Sequence, residues 1–414
     1  MANIHPFRAY RYAESSGPLQ DLVTQPYDKI SPEMQARYLS LNPRNLVRVI
    51  LGPEETGDSA ENNRYTRAQR FFEQWIAEGI LVQDSEDSLY TYSQEFLVPD
   101  SDERVVRKGF IGLGDVVPYE DKVVHRHELT LSGPKKDRMQ VLEATKAHFG
   151  QIFVLYEDAE HAVESLLESN RTGLVSEVTD EYGTIHRLSR VVDTEAIRQI
   201  QQAMCDKKLV IADGHHRYET AVQFRLNHPE LKGADRVMMT FVNMHSDGLR
   251  ILATHRVLRN FGPIDGKNFL SKAAEEFRVF RVPDPAALTQ LFAQPAKELI
   301  RIGVMLRGSP GIYVLEKERR DELDVAVLHD RIFGGLLGIS EEDVRNEKHI
   351  RYIRGLENAT DLVKSGDADA AFLLEAATID QVARTALSGG VMPQKSTDFY
   401  PKLLTGLTIY RIEN

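Results

Sequence analysis

Residues 208–220 read Lys-Leu-Val-Ile-Ala-Asp-Gly-His-His-Arg-Tyr-Glu-Thr, and no other stretch limits the fold as tightly. The apolar run 208–212 predicts a short buried strand. A helix is predicted from about Gly214 to Leu226, so strand passes into helix through Asp213 and Gly214 alone. Glycine at such a joint lets backbone approach a ligand closely. The first turn of a helix carries free N–H groups and the positive end of the dipole, which suits phosphate. Arg217 can add a bidentate grip, and His215 and His216 further donors. Asp213, at the strand end, could face a metal ion or a substrate hydroxyl. The plain alternative is Asp213 as an ordinary helix cap beside solvated histidines.

Strand and helix patterns alternate along the rest of the chain, which predicts a mixed α/β (α+β) fold. Residues 89–98 and 105–116 read as strands joined by Pro99-Asp100-Ser101-Asp102, a hairpin signal. Residues 151–156 and 237–244 read as further apolar strands, and 193–204 as a helix. Ser31-Pro32-Glu33 is an N-cap followed by proline at the first helical position. Ala68, Phe71, Phe72, Trp75 and Ile76 recur at helical spacing before Gly79. Two regions are expected: 1–262 with the phosphate turn, and 263–414, an α/β region that lends the loop carrying Lys395 to the site.

A chain of 414 residues with 42% hydrophobic and 27% charged residues has a globular composition, not a disordered or low-complexity one. No apolar run is long enough to span a bilayer, and the N-terminus does not read as a signal peptide. Cys205 is the single cysteine, which excludes an internal disulfide framework and cysteine-built metal sites. These features point to the cytoplasm. Lys+Arg 51 against Asp+Glu 62 gives −11, so no nucleic acid and no membrane partner is expected; a small-molecule substrate is, and a homo-oligomer is compatible.

A second constellation is His125, His127, Glu128, Thr130, Lys135, Lys136 and Arg138, in a polar stretch read as a long loop over 121–137 that opens a helix at about Lys135. Glu128 among cationic neighbours could serve as a general base or metal ligand. Basic residues at a helix N-terminus oppose the dipole, which suggests a nearby anion, although a solvated charge run is the common alternative. Asp28, in Pro26-Tyr27-Asp28, and Lys395, in a Pro-flanked loop, are further candidates. His255, in Thr254-His255-Arg256, is as readily structural as ligating. His215 and His216 are adjacent rather than four apart, so they are not a helix-face zinc pair. A Walker loop and a Gly-x-Gly-x-x-Gly motif after a strand are both missing from the sequence.

Asp213-Gly214-His215-His216-Arg217 after a strand resembles the phosphate-gripping signature of the ParB/sulfiredoxin-like superfamily, which includes free-serine kinases. The wider chain resembles a bacterial and archaeal family, domain of unknown function ten-fifteen. The matching stretches include Pro6-Phe7-Arg8-Ala9, Pro26-Tyr27-Asp28-Lys29-Ile30-Ser31, His127-Glu128-Leu129-Thr130, Lys135-Lys136-Asp137-Arg138, Thr254-His255-Arg256 and Met392-Pro393-Gln394-Lys395-Ser396-Thr397. Ala253 departs from the proline usual before the Thr-His-Arg.

The superfamily resemblance implies a ParB/sulfiredoxin-like nucleotide-binding core and a phosphotransferase acting on a small hydroxylated metabolite, with free serine as the named acceptor. It implies ATP or ADP as the nucleotide, with Mg²⁺. Asp213 to Arg217 would hold the phosphates, and Lys135, Arg138 and Lys395 would neutralise the transferring group. Glu128 or Asp28, with His127, would orient or deprotonate the acceptor. Two other readings use the same site: a phosphohydrolase, and a nucleotide-gated binding protein without metabolic turnover.

Overall fold

The computed structural model describes residues 1–128, 132–294, 298–320 and 322–413. The chain divides into two compact units. The first comprises Met1–Arg250, Ala386–Gly389 and Pro401–Asn414; the second comprises Ile251–Thr385 and Gly390–Tyr400.

The first unit is built on a nine-stranded sheet. Its strands are β1 (Ile4–His5), β2 (Leu89–Leu97), β3 (Arg104–Asp115), β4 (Val124–His125), β5 (Ile152–Tyr156), β6 (Leu174–Thr179), β7 (Ile185–Val191), β8 (Leu209–Asp213) and β9 (Arg236–Asn243). The order is β4-β8-β5-β9-β3-β2-β7-β6, with β1 also pairing with β3. The sheet is mixed: β4 runs parallel to β8 and β5 parallel to β9, while β8–β5 and β9–β3 are antiparallel. The expected hairpin is β2–β3.

Its longer helices are α1 (Pro32–Leu41), α2 (Arg64–Ala77), α3 (Ser132–Thr145), α4 (Ala162–Asn170), α5 (Thr194–Met204) and α6 (His215–Asn227). Their starts follow from side chains. Ser31 accepts from the Met34 amide ahead of α1, Asn63 forms a capping box with Thr66 on α2, and Asp193 accepts from Ala196 on α5.

Alternation along the central strands separates two faces. Ile152, Val154, Tyr156, Val237, Met239 and Phe241 face a core shared with Ile197 and Ile200 of α5 and Tyr218 and Ala221 of α6. On the opposite face the side chains are more polar, and the C-terminal segment lies across them. The Gln94 amide donates to the Lys402 carbonyl at 2.8 Å, and the Arg107 guanidinium donates to the Pro401 carbonyl at 2.6 Å. The amide of Leu404 donates to the Tyr92 hydroxyl.

The stretch 121–137 departs from its reading as one long loop. It holds β4, and α3 begins at Ser132 rather than near Lys135. A two-residue strand leaves no periodic trace, which is why the sequence reads as structureless there. Leu129 and Thr130 lie outside the described residues. The expected closing strand over 406–412 is reduced to Tyr410–Arg411, paired with Ala147–His148.

The second unit has an antiparallel six-stranded sheet of β10 (Thr254–Leu258), β11 (Arg278–Val282), β12 (Leu299–Leu306), β13 (Ile312–Glu318), β14 (Ile350–Arg354) and β15 (Ala370–Leu373), in the order β11-β13-β12-β15-β10-β14. Ile302, Val304 and Phe372 face one core; Met305, Ala371 and Leu373 face another. Helices cover both faces. Among the described residues no helix is long and apolar enough to cross a membrane.

Candidate functional site

A bulge sets the position of Asp213. Strand β8 pairs Ile211 with Val154 but Asp213 with Phe153, so Ala212 is the extra residue. Without it, Asp213 would share the face of Ile211 in the apolar core. With it, the carboxylate comes to the polar face, beside Phe153. The Arg107 guanidinium lies 4.6 Å from the centre of that ring.

Gly214 follows at φ +98°, a left-handed conformation, and caps α6. Arg217, one turn on, folds back across it. A Cβ on Gly214 would stand 3.1 Å from Arg217 Nη2. Arg217 Nη2 donates to Asp213 Oδ2 at 3.1 Å, and Nη1 donates to the Gln151 carbonyl at 2.6 Å. Lys402 Nζ stands 4.0 Å from Asp213 Oδ1. Burial favours the protonated acid, but the charges of Lys402, Arg217 and Lys29 outweigh it and hold Asp213 well below the usual carboxylate range. Asp213 is therefore an anion set among cations. Arg107 is fully buried, and desolvation pulls its pKa to about 10, opposed by Tyr92 and Asp213.

The two histidines of the turn differ. His216 is partly exposed and His215 is buried, with its ring centroid 4.8 Å from that of His127. The His127 amide donates to His215 Nε2 at 3.4 Å. His127 Nδ1 lies 2.7 Å from the Ile211 carbonyl, which only accepts, so Nδ1 carries the proton. Burial lowers His127 to about 4 and His215 well below its ordinary value, so both rings are neutral at pH 7. His127 thus packs beneath the turn, and the half-buried Glu128 follows it directly.

Arg138 and Tyr27 join the turn from other elements. The Arg138 guanidinium stacks on Tyr27 at 4.0 Å, donates to the Ile50 carbonyl at 2.8 Å and pairs with Asp137. Tyr27, Arg138 and Arg217 share a cavity of ≈ 70 Å³. Asp28 is exposed and lies beside Tyr27 in the short turn Tyr27–Lys29. Lys135 reaches α6, where it pairs with Glu219. Lys395 belongs to the second unit, where its carbonyl accepts from Arg256 at 3.0 Å. His255 is buried there, and its Nδ1 accepts from the Leu374 amide at 3.2 Å, a structural contact.

From sequence, Tyr27 enters only as a neighbour of Asp28, and Lys402, Arg107 and Gln151 are given no site role. Lys402 lies close to the C-terminal end of the sequence, and nothing local signals that it meets Asp213. Gln151 is buried, and among the described residues neither atom of its side-chain amide has a hydrogen-bond partner. Among the described residues no group of three His, Cys, Asp or Glu side chains could hold a metal ion.

The family described as "Protein of unknown function (DUF1015)" matches residues 4–330. The chain belongs to the DUF1015 family. No curated protein matches this DUF1015 chain. Solved structures similar to it include a free serine kinase in complex with AMP, at 13% identity and TM-score 0.39, over 71% of this chain and 89% of that one. A conserved hypothetical protein from Pyrococcus furiosus is 13% identical at TM-score 0.35, over 69% and 93%. SbnI with a C-terminal truncation, from Staphylococcus aureus, is 11% identical at TM-score 0.35, over 72% and 87%. Likenesses this distant carry no weight for the activity of a DUF1015 protein.

Proposed function

We propose that this protein binds a nucleoside polyphosphate, ATP or ADP, at the turn Asp213 to Arg217 and transfers a phosphoryl group to a small hydroxylated metabolite. The observation that carries this reading is the left-handed Gly214 opening α6 under a guanidinium, with Lys402 and Lys29 gathered on the same carboxylate. A helix N-terminus and convergent cations stabilise phosphate charge. In the step, the acceptor oxygen bonds to phosphorus as the bond to the bridging oxygen breaks, and the shortened nucleotide leaves. The hydroxyl proton passes to a carboxylate, Glu128 first and Asp28 as the alternative. Mg²⁺ accompanying the nucleotide would use phosphate oxygens and one or two carboxylates, of which the ionised Asp213 is the strongest candidate.

Free serine is the first acceptor to try, with ATP and ADP in parallel and product read by mass spectrometry. Glu128→Gln should lower turnover roughly 10²–10⁴-fold with nucleotide affinity nearly intact. Wild-type protein that binds nucleotide yet phosphorylates no small hydroxyl compound overturns the phosphotransferase reading. Phosphate release without an acceptor would then favour hydrolysis.

A further inference from the structure

The cavity beside the phosphate turn has a one-sided chemistry. Ile50, Val141 and Phe149 give it apolar walls, while Tyr27, Arg138 and Arg217 give it a cationic, aromatic side. Among the described residues no Asp or Glu lines it. The histidine that lines it, His148, is pushed down by burial to about 4 and is neutral at pH 7.

The guanidiniums retain donors. Arg138 Nε and Nη2 are taken up by Asp137 and the Ile50 carbonyl, and its side chain is 10% exposed. Among the described residues nothing accepts from Arg138 Nη1, which keeps two N–H groups. Of the carboxylates beside the cavity, Asp137 is shared between Arg138 and Arg64 and Asp213 between Arg217 and Lys402, while Asp28, next to Tyr27, is exposed to solvent. An anion is therefore favoured at this mouth, and an ammonium finds no counter-charge among the lining side chains.

Size limits the body of the ligand. A cavity of about 150 Å³ accommodates benzene. The ≈ 70 Å³ here suits a body of two or three carbons.

We infer that this cavity receives a short hydroxy acid lacking an ammonium group, its carboxylate held by Arg138 and Arg217 and its hydroxyl directed to the phosphate turn. This rests on the reading of the turn as the phosphoryl site, and it narrows the acceptor to hydroxy acids over amino acids.

The test is calorimetric titration of the full-length protein with three matched probes: 3-hydroxypropionate, serine, which adds the ammonium, and 1,3-propanediol, which lacks the carboxylate. ADP is titrated separately. The expected result is 3-hydroxypropionate binding at least about tenfold tighter than either, the size of one charged hydrogen bond. Ala147 lines the cavity, so Ala147→Ile places extra methyl groups there and should abolish that binding while leaving ADP affinity unchanged. Equal affinity for the three probes, tighter binding of serine, or 3-hydroxypropionate binding that survives Ala147→Ile overturns the inference. ADP binding without 3-hydroxypropionate binding defeats the cavity alone. Cavity-dependent 3-hydroxypropionate binding without ADP binding defeats the phosphoryl reading and leaves the cavity standing.

Discussion

Gly214 is where the local chemistry is least replaceable. Its φ of +98° strains any other residue, and a Cβ there would meet the Arg217 guanidinium at 3.1 Å. Gly214→Ala should cost roughly 1–3 kcal/mol in stability. It should also displace Arg217, so urea unfolding and nucleotide titration should both respond. Arg217→Ala should weaken phosphate-ligand binding by roughly 1.5–3 kcal/mol, the range for a charged hydrogen bond. Arg217 and Gly214 are legible in the sequence because their roles are local: a glycine at a strand–helix joint and an arginine one turn on. Lys402 and Arg107 are not, because their partners stand far away in the chain. Lys402 meets Asp213 and Arg107 meets Pro401 only once the sheet has formed.

At the scale of elements, the joint between β8 and α6 depends on what packs under it. His127, beside the two-residue strand β4, is fully buried and neutral. Its pKa falls from 6.5 to about 4 on folding, so the folded state resists protonation that the unfolded chain accepts. Stability from this group is complete above pH 6.5 and drains away as pH falls towards 4. Between pH 7 and pH 5 the loss should be roughly 2 kcal/mol from His127 alone. Urea denaturation of wild type and His127→Gln at the two pH values checks it: the variant should show a smaller pH dependence. The hairpin strands β2 and β3, the apolar runs of β5 and β9, and the capped helices α1 and α5 are readable from sequence. Strand β4 is not, because its two residues show no period and parallel pairing with β8 is non-local. The bulge at Ala212 is equally silent in sequence, yet it decides which face Asp213 takes.

At the scale of the whole molecule, the C-terminal segment Pro401–Asn414 is part of the first unit rather than an appendage to the second. It brings Lys402 to Asp213 and buries Leu403, Leu404, Leu407 and Ile409. Burying each such side chain contributes about 1.5–3 kcal/mol, and together they rival the roughly 5–15 kcal/mol net stability of a domain. Deleting residues 401–414 should therefore give insoluble or cooperatively unfolded protein, seen as loss of the thermal transition. The central claim, that the turn of Asp213 to Arg217 holds nucleotide phosphates, is tested most directly by calorimetric titration of ADP and ATP into wild type, Gly214→Ala and Arg217→Ala. The account predicts saturable binding by wild type, and binding weakened at least about tenfold by either substitution, as expected for loss of a charged hydrogen bond. Wild-type protein that binds neither nucleotide, or that binds with an affinity neither substitution changes, contradicts it.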